Sequence, residues 1–268
     1  MSTQQPIGVF DSGVGGLSIL KGIRAELPHE NLLYLGDIEN APYGDKSIEF
    51  IERRAVVICE FLISQGAKAI VVACNTATVS VVKHLRNIFS LPIIGVEPAV
   101  KTAALSSTTK QIGVWATSRT LQSDNFQALM QRFANDVTFH SIACHGLVEK
   151  IEKLELCAPS TQSLLQEFLT PLLAQNIDSL VLGCTHYPFI KPLLEKIMPA
   201  QVKIFDTAEP VAKELKRRLT DGHLLNPKQS LGTEQFYSSG CTTNASDVIS
   251  ALWGKRILVQ AKIKLITS

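Results

Sequence analysis

Two cysteines share matching surroundings. Cys74 closes the run Ile70-Val71-Val72-Ala73 and is followed by Asn75-Thr76, while Cys184 closes Leu180-Val181-Leu182-Gly183 and is followed by Thr185-His186. A thiol with an ordinary pKa near ~8.5 can give up or supply a proton close to neutral pH. One such group can act as a nucleophile or an acid/base. Two of them on opposite faces of one carbon can invert a stereocentre, because one removes a proton and the other returns a proton from the far side. A lone buried cysteine is usually a small core hydrophobe, and Cys59, Cys144, Cys157 and Cys241 are read that way. Cys74 and Cys184 depart from that reading because their contexts repeat.

Other segments carry polar groups of the type such chemistry needs. Asp11-Ser12-Gly13-Val14-Gly15-Gly16 follows an apolar run. It is neither GxGxxG nor a Walker loop, and Asp11 would repel a phosphate. It suits a zwitterion instead: Asp11 for an ammonium or to orient a thiol, Ser12 and backbone N–H groups for a carboxylate. Asn40-Ala41-Pro42-Tyr43-Gly44 has the composition of a turn and offers Pro42, Tyr43 and Gly44 after a second apolar run. His186 is suited to stabilising a Cys184 thiolate or protonating an amino group. Cys184 and His186 are a weak metal signal without a further closely spaced ligand pair, so no metal is expected. No lysine sits in a motif resembling a pyridoxal-phosphate site, so no cofactor is expected.

These groups need a scaffold. Apolar runs at 7–10, 32–35, 69–73, 93–96, 111–115, 137–141, 179–182 and 202–205, with 235–237 as a further candidate, alternate with helical stretches such as 48–65 and 161–175. Unbroken Val/Ile/Leu runs are typical of strands covered on both faces, and strand–helix alternation indicates an α/β fold with mostly parallel sheet. The chain also echoes itself. Ile7-Gly8-Val9-Phe10-Asp11-Ser12 matches Ile112-Gly113-Val114-Trp115-Ala116-Thr117, an offset of 105 residues, and Cys74 matches Cys184, an offset of 110. Two matches at nearly one offset indicate a duplicated unit. Both thiols then fall at carboxyl ends of parallel strands, where open sheets bind ligands. Each is expected to open a helix, whose N-terminus favours negative charge on a thiol.

The bulk properties agree. A chain of 268 residues suggests two small domains. With 46% hydrophobic and 19% charged residues it has the composition of a globular protein, and a net charge of +2 gives no basis for a nucleic-acid or membrane surface. No signal peptide or spanning segment is visible, so a cytoplasmic location with free thiols is expected.

IGVFDSGVGGLS, APYGDKS, VVACNTAT, GVEPAV and VLGCTHYP together resemble the glutamate racemases of bacterial cell-wall synthesis, in the aspartate/glutamate racemase superfamily. The resemblance implies two similar, pseudo-symmetric α/β domains flanking a central active-site cleft, residues 1–97 with 208–268 and residues 98–207. It implies L-/D-glutamate as substrate, D-glutamate supplied for peptidoglycan, no cofactor, and a homodimer. Cys74 resembles the base acting on the D-enantiomer and Cys184 the base acting on the L-enantiomer. Asp11 and His186 resemble the residues that assist them. Asp11-Ser12, Pro42-Tyr43-Gly44, Asn75-Thr76 and Thr185-His186 resemble substrate-binding segments, and Thr117 adds a contact. Glu152, which composition alone puts on a solvated helix face, falls where the family carries an assisting glutamate. The segment around it, ACHGLVEKIE, departs from the family pattern in lacking prolines. Only six residues precede the first strand, which implies no activation by a muropeptide precursor. The alternatives are a racemase of aspartate or a related amino acid, and a non-catalytic amino-acid-binding module, which would have no use for two opposed thiols.

Overall fold

The computed structural model describes residues 2–260. They form two compact units: one runs to Val96 and resumes at Ala208, and the other is Glu97–Thr207. The last stretch of the expected first domain, 261–268, lies outside the described residues.

The first unit opens with strand β1 (Ile7–Asp11), helix α1 (Leu17–Glu26) and strand β2 (Leu32–Gly36). Helix α2 (Ile48–Ser64), strand β3 (Ala69–Val72), helix α3 (Asn75–Ile88) and strand β4 (Ile93–Gly95) follow. Every residue of β1, β2 and β3 is buried, which is why these strands read as unbroken apolar runs. The Ser47 hydroxyl accepts the Phe50 N–H and starts α2. Gly66, at φ +87°, supplies the left-handed residue just beyond its end.

The second unit runs through α4 (Val100–Ser106), β5 (Gln111–Ala116), α5 (Ser118–Gln122), α6 (Asp124–Gln131) and β6 (Thr138–Ala143). It continues with α7 (Leu147–Glu152), α8 (Pro159–Leu173), β7 (Ser179–Leu182), α9 (Lys191–Ile197) and β8 (Lys203–Phe205). Helix α8 begins two residues earlier than its apolar pattern suggests. Pro159 occupies its first turn, where a missing N–H is no loss. The chain then returns to the first unit as α10 (Ala208–Asp221), β9 (Glu234–Ser238) and α11 (Thr242–Trp253). Among the described residues, no helix is long and apolar enough to cross a membrane.

Both sheets are parallel throughout. The first has the order β4-β3-β1-β2-β9, and the second, taken from its β8 edge, has the order β8-β7-β5-β6. Strands β1 and β5 therefore hold the same place, as do β3 and β7. Phe10 is paired with Val72 and Trp115 with Leu182, and the two cysteines each follow two residues further on. The Ala73 N–H donates to the Phe10 carbonyl at 2.7 Å, and the Gly183 N–H to the Trp115 carbonyl at 2.6 Å. The echoed glycines have the same use. A Cβ on Gly8 would meet Leu62 Cδ1 of α2 at 3.1 Å, and one on Gly113 would meet Leu172 Cδ1 of α8 at 3.0 Å, so each admits a covering helix. The repeat read in the sequence is thus a repeat of topology and register.

Candidate active site

In the first unit the carboxyl ends of β1, β2 and β3 gather the polar groups. Asp11, the last residue of β1, is fully buried. Its Oδ1 accepts the Ser12 N–H at 2.7 Å, and its Oδ2 accepts the Gly16 N–H at 2.5 Å. Gly16 is required here, because a Cβ would stand 2.7 Å from the Asp11 Cβ. Two of the loop amides that the sequence offered to a ligand carboxylate are therefore already bound to Asp11. The loop is a cradle for its own aspartate. Tyr34 fixes it further by donating to the Gly13 carbonyl at 2.7 Å.

Cys74 lies beside this loop. Its Sγ is 3.6 Å from Ser12 Oγ and accepts the Ala77 N–H at 3.5 Å. It is thus the N-cap of α3, and the helix N-terminus favours negative charge on the sulfur. The next residue, Asn75, is buried, and neither its Nδ2 nor its Oδ1 has a hydrogen-bond partner within the protein. Folded proteins rarely leave a buried carboxamide wholly unpaired, so its position suits a group that a ligand brings. Thr76 is buried next to it.

Pro42 precedes a 3-10 turn, Tyr43–Asp45, that includes Gly44. The Tyr43 side chain is buried, and its hydroxyl donates to Asp37 Oδ2 at 2.6 Å. Burial, with the negative charges of Asp37 and Cys74 nearby, raises the phenol well above its usual pKa and keeps it protonated. Asp37 also pairs with Arg54 of α2 at 2.6 Å. Burial pushes the Asp37 carboxyl upward, but hydrogen bonds from Arg54, Ser239, Tyr43 and Asn40 outweigh it and hold the group below its usual range. Sequence reasoning passed over Asp37 and Arg54. The available signal was an acidic residue directly after β2, at the same sheet edge as Asp11.

In the second unit Cys184 follows β7 as Cys74 follows β3, but no α-helix opens there. The chain makes a 3-10 turn, Tyr187–Ile190, before α9. This corrects the expectation of a helix at each cysteine. Pro188 and Pro192 lack the N–H groups that a continuous helix needs. His186 therefore takes the place of helix amides at the thiol. Its Nδ1 is 3.8 Å from Cys184 Sγ, and its Nε2 is 2.7 Å from Glu152 Oε1 at the end of α7. Burial alone would lower the histidine pKa, yet the hydrogen bonds and negative charge of Cys184 and Glu152 raise it well above its ordinary value. The structure thus brings Glu152 to His186, off the solvated face that composition assigned it. Gly146, at φ +77°, opens α7 in the proline-free segment.

Thr185 is buried between Cys184 and His186. Thr117 caps α5, its Oγ1 accepting the Thr120 N–H at 3.3 Å and lying 2.9 Å from the Thr120 hydroxyl. All six cysteines are free thiols. Cys59 is pushed up to about 12 by burial and by Glu60. Cys144 is driven well above its ordinary value by burial and by the Cys184 charge. Both remain protonated, in keeping with their core reading, whereas Cys157 and Cys241 are exposed, which corrects the core reading for those two.

Fold and site together define an α/β protein of duplicated plan, with a thiol and its polar partner at the same strand end of each sheet. The chain belongs to the Asp/Glu/hydantoin racemase family, a family of isomerases, whose sequence model matches residues 12–215. Within it, a glutamate racemase of Stutzerimonas stutzeri is 49% identical over 256 residues, 95% of this chain and 96% of that one. Among solved structures, a glutamate racemase isoform from Bacillus anthracis superposes with a TM-score of 0.90 at 31% identity, covering 98% of this chain and 99% of the other. The glutamate racemase of Francisella tularensis, solved in complex with D-glutamate, gives a TM-score of 0.85 at 32% identity, covering 99% and 100%.

Proposed function

We propose that the protein is a cofactor-independent glutamate racemase that interconverts L- and D-glutamate with Cys74 and Cys184 as opposed acid/bases. The observation that carries this reading is the equivalence of the two thiols: each lies two residues past the paired strand end of a sheet of the same order. Glutamate is the substrate named for the similar enzymes above.

In one direction the Cys74 thiolate takes the α-proton of D-glutamate and the Cys184 thiol delivers a proton to the opposite face. Turnover leaves Cys74 protonated and Cys184 as thiolate, the state that acts on L-glutamate. The reading takes residues 1–97 with 208–268 as one domain and 98–207 as the other, each contributing one thiol. Asp11 and Ser12 serve the Cys74 side, and Glu152 serves the Cys184 side through His186. The α-proton is weakly acidic, so the carbanion-like state needs fixed donors in a closed site. Asn75, Thr76, Thr117, Thr185 and the backbone N–H groups of Tyr43 and Gly44 supply donors without a cofactor. The wider reading is a cytoplasmic homodimer that makes D-glutamate for peptidoglycan.

The test follows the circular dichroism of D-glutamate in D2O with purified, metal-free protein, and D-aspartate as the control. Loss of signal for glutamate alone, with deuterium at the α-carbon, is the expected result. Activity on aspartate instead keeps the two-thiol chemistry and replaces the substrate. Exchange on neither overturns the racemase reading.

A further inference from the structure

Asp37 and Arg54 form a buried ion pair that the acid/base assignments leave unused. Arg54 grips the carboxylate with two nitrogens, Nη2 at 2.6 Å from Oδ1 and Nε at 2.9 Å from Oδ2. Their side chains are 8% and 0% exposed. The same carboxylate accepts the Tyr43 hydroxyl at 2.6 Å and Asn40 Nδ2 at 3.0 Å. The Asp37 N–H donates to the Asp11 carbonyl at 2.9 Å, and the Glu39 N–H donates to Ser239 Oγ at 3.2 Å. One residue thus ties together the ends of β1 and β2, helix α2 and the 38–45 segment, with the end of β9 alongside.

A buried ion pair adds little stability over an apolar replacement of the same shape, whereas a planar guanidinium fork fixes direction. Geometry is the use that remains. Tyr43 belongs to the same apolar cluster as Cys74 and Ala77 of α3, so fixing its ring fixes 42–44 relative to that thiol. The Tyr43 hydroxyl is committed to Asp37, which leaves the backbone of 42–44 as the part of this segment that can meet an amino acid. We propose that Asp37 and Arg54 are positioning residues that clamp Tyr43 and set segment 42–44 for substrate binding beside Cys74. The proposal rests on the racemase reading above.

The test compares Tyr43→Phe, Arg54→Lys and the double variant. Loss of one charge-assisted hydrogen bond predicts about a tenfold rise in KM for D-glutamate, with kcat within about threefold of the parent. Because both changes cut the same clamp, the double variant should be no worse than the more damaged single one. Separate effects would multiply to about a hundredfold. Unchanged KM with lowered thermal stability, or multiplying effects, overturns the positioning role. If Arg54→Lys does not fold, Tyr43→Phe, which removes one oxygen and keeps the ring, decides alone on its KM. An unmodified enzyme inactive on both glutamate and aspartate overturns the racemase reading and the clamp with it. An active parent with unmoved KM overturns the clamp alone.

Discussion

Glu152 Oε1 lies 2.7 Å from His186 Nε2, and the opposite ring nitrogen faces the Cys184 sulfur at 3.8 Å. A protonated imidazole can donate in both directions, so the carboxylate holds a positive charge next to the thiol. The raised His186 pKa expresses this: burial opposes the charge, and Cys184 and Glu152 together outweigh burial.

Replacing Glu152 by Gln should lower the His186 pKa, because it removes a carboxylate in contact with the ring. The sign is fixed. A histidine raised in the folded state stabilises fully below its unfolded pKa, and that contribution is lost as pH rises through the folded value. Glu152→Gln should therefore narrow the pH range of activity from its alkaline side. Histidine NMR titration and a pH–rate profile check this, and an unmoved His186 titration would sink the assignment.

Cys74→Ala and Cys184→Ala should each abolish racemisation, since loss of a positioned acid/base costs about 10²–10⁴-fold and no second group replaces it. Cys→Ser variants should retain one-sided chemistry. Elimination from a β-leaving-group analogue, followed for both enantiomers, should survive for a different enantiomer in each variant. Near-normal racemisation by either alanine variant would remove the two-thiol mechanism.

The strands were legible because both faces of each central strand are buried, so β1 and β3 appear as continuous apolar runs. The duplication was legible because Gly8 and Gly113 recur to admit a helix. Glu152 and His186, 34 residues apart, meet through the path of α7, which no periodicity encodes. Asp37 carries a local mark, its place directly after β2, but among 24 acidic and 26 basic residues nothing in the sequence pairs it with Arg54 on α2. The 3-10 turn after Cys184 was foreshadowed by Pro188 and Pro192, but the likeness of the two cysteine motifs outweighed them.

Asp178 offers a test of acid stability in the second unit. Its carboxylate accepts the Thr108 and Thr109 N–H groups at 2.5 and 2.8 Å and the Ser107 hydroxyl at 2.7 Å. Burial pushes the group upward, but these bonds outweigh it and lower the pKa to about 2. A depressed carboxylate stabilises above its unfolded pKa, and the contribution fades as pH falls toward the folded value. Asp178→Asn should lower the melting temperature by ~3 °C at pH 7, the size expected for a chain this long. The gap should close as pH approaches about 2. A gap independent of pH would show that the charge is not what matters.

Asn75 separates function from stability most cleanly. Both polar atoms of its side chain are buried without a partner in the protein, an arrangement that costs about 1–3 kcal/mol relative to a satisfied group. A residue serving the fold would not be left so; one waiting for a substrate would. Asn75→Ala removes the unpaired amide together with some packing, and these effects oppose each other. The melting temperature should therefore hold or rise, while KM for D-glutamate should increase about tenfold or more from one lost buried hydrogen-bonding group. Thermal denaturation beside steady-state kinetics decides. A clear loss of stability with KM unchanged would mean that Asn75 serves the start of α3 and leave substrate binding to other donors.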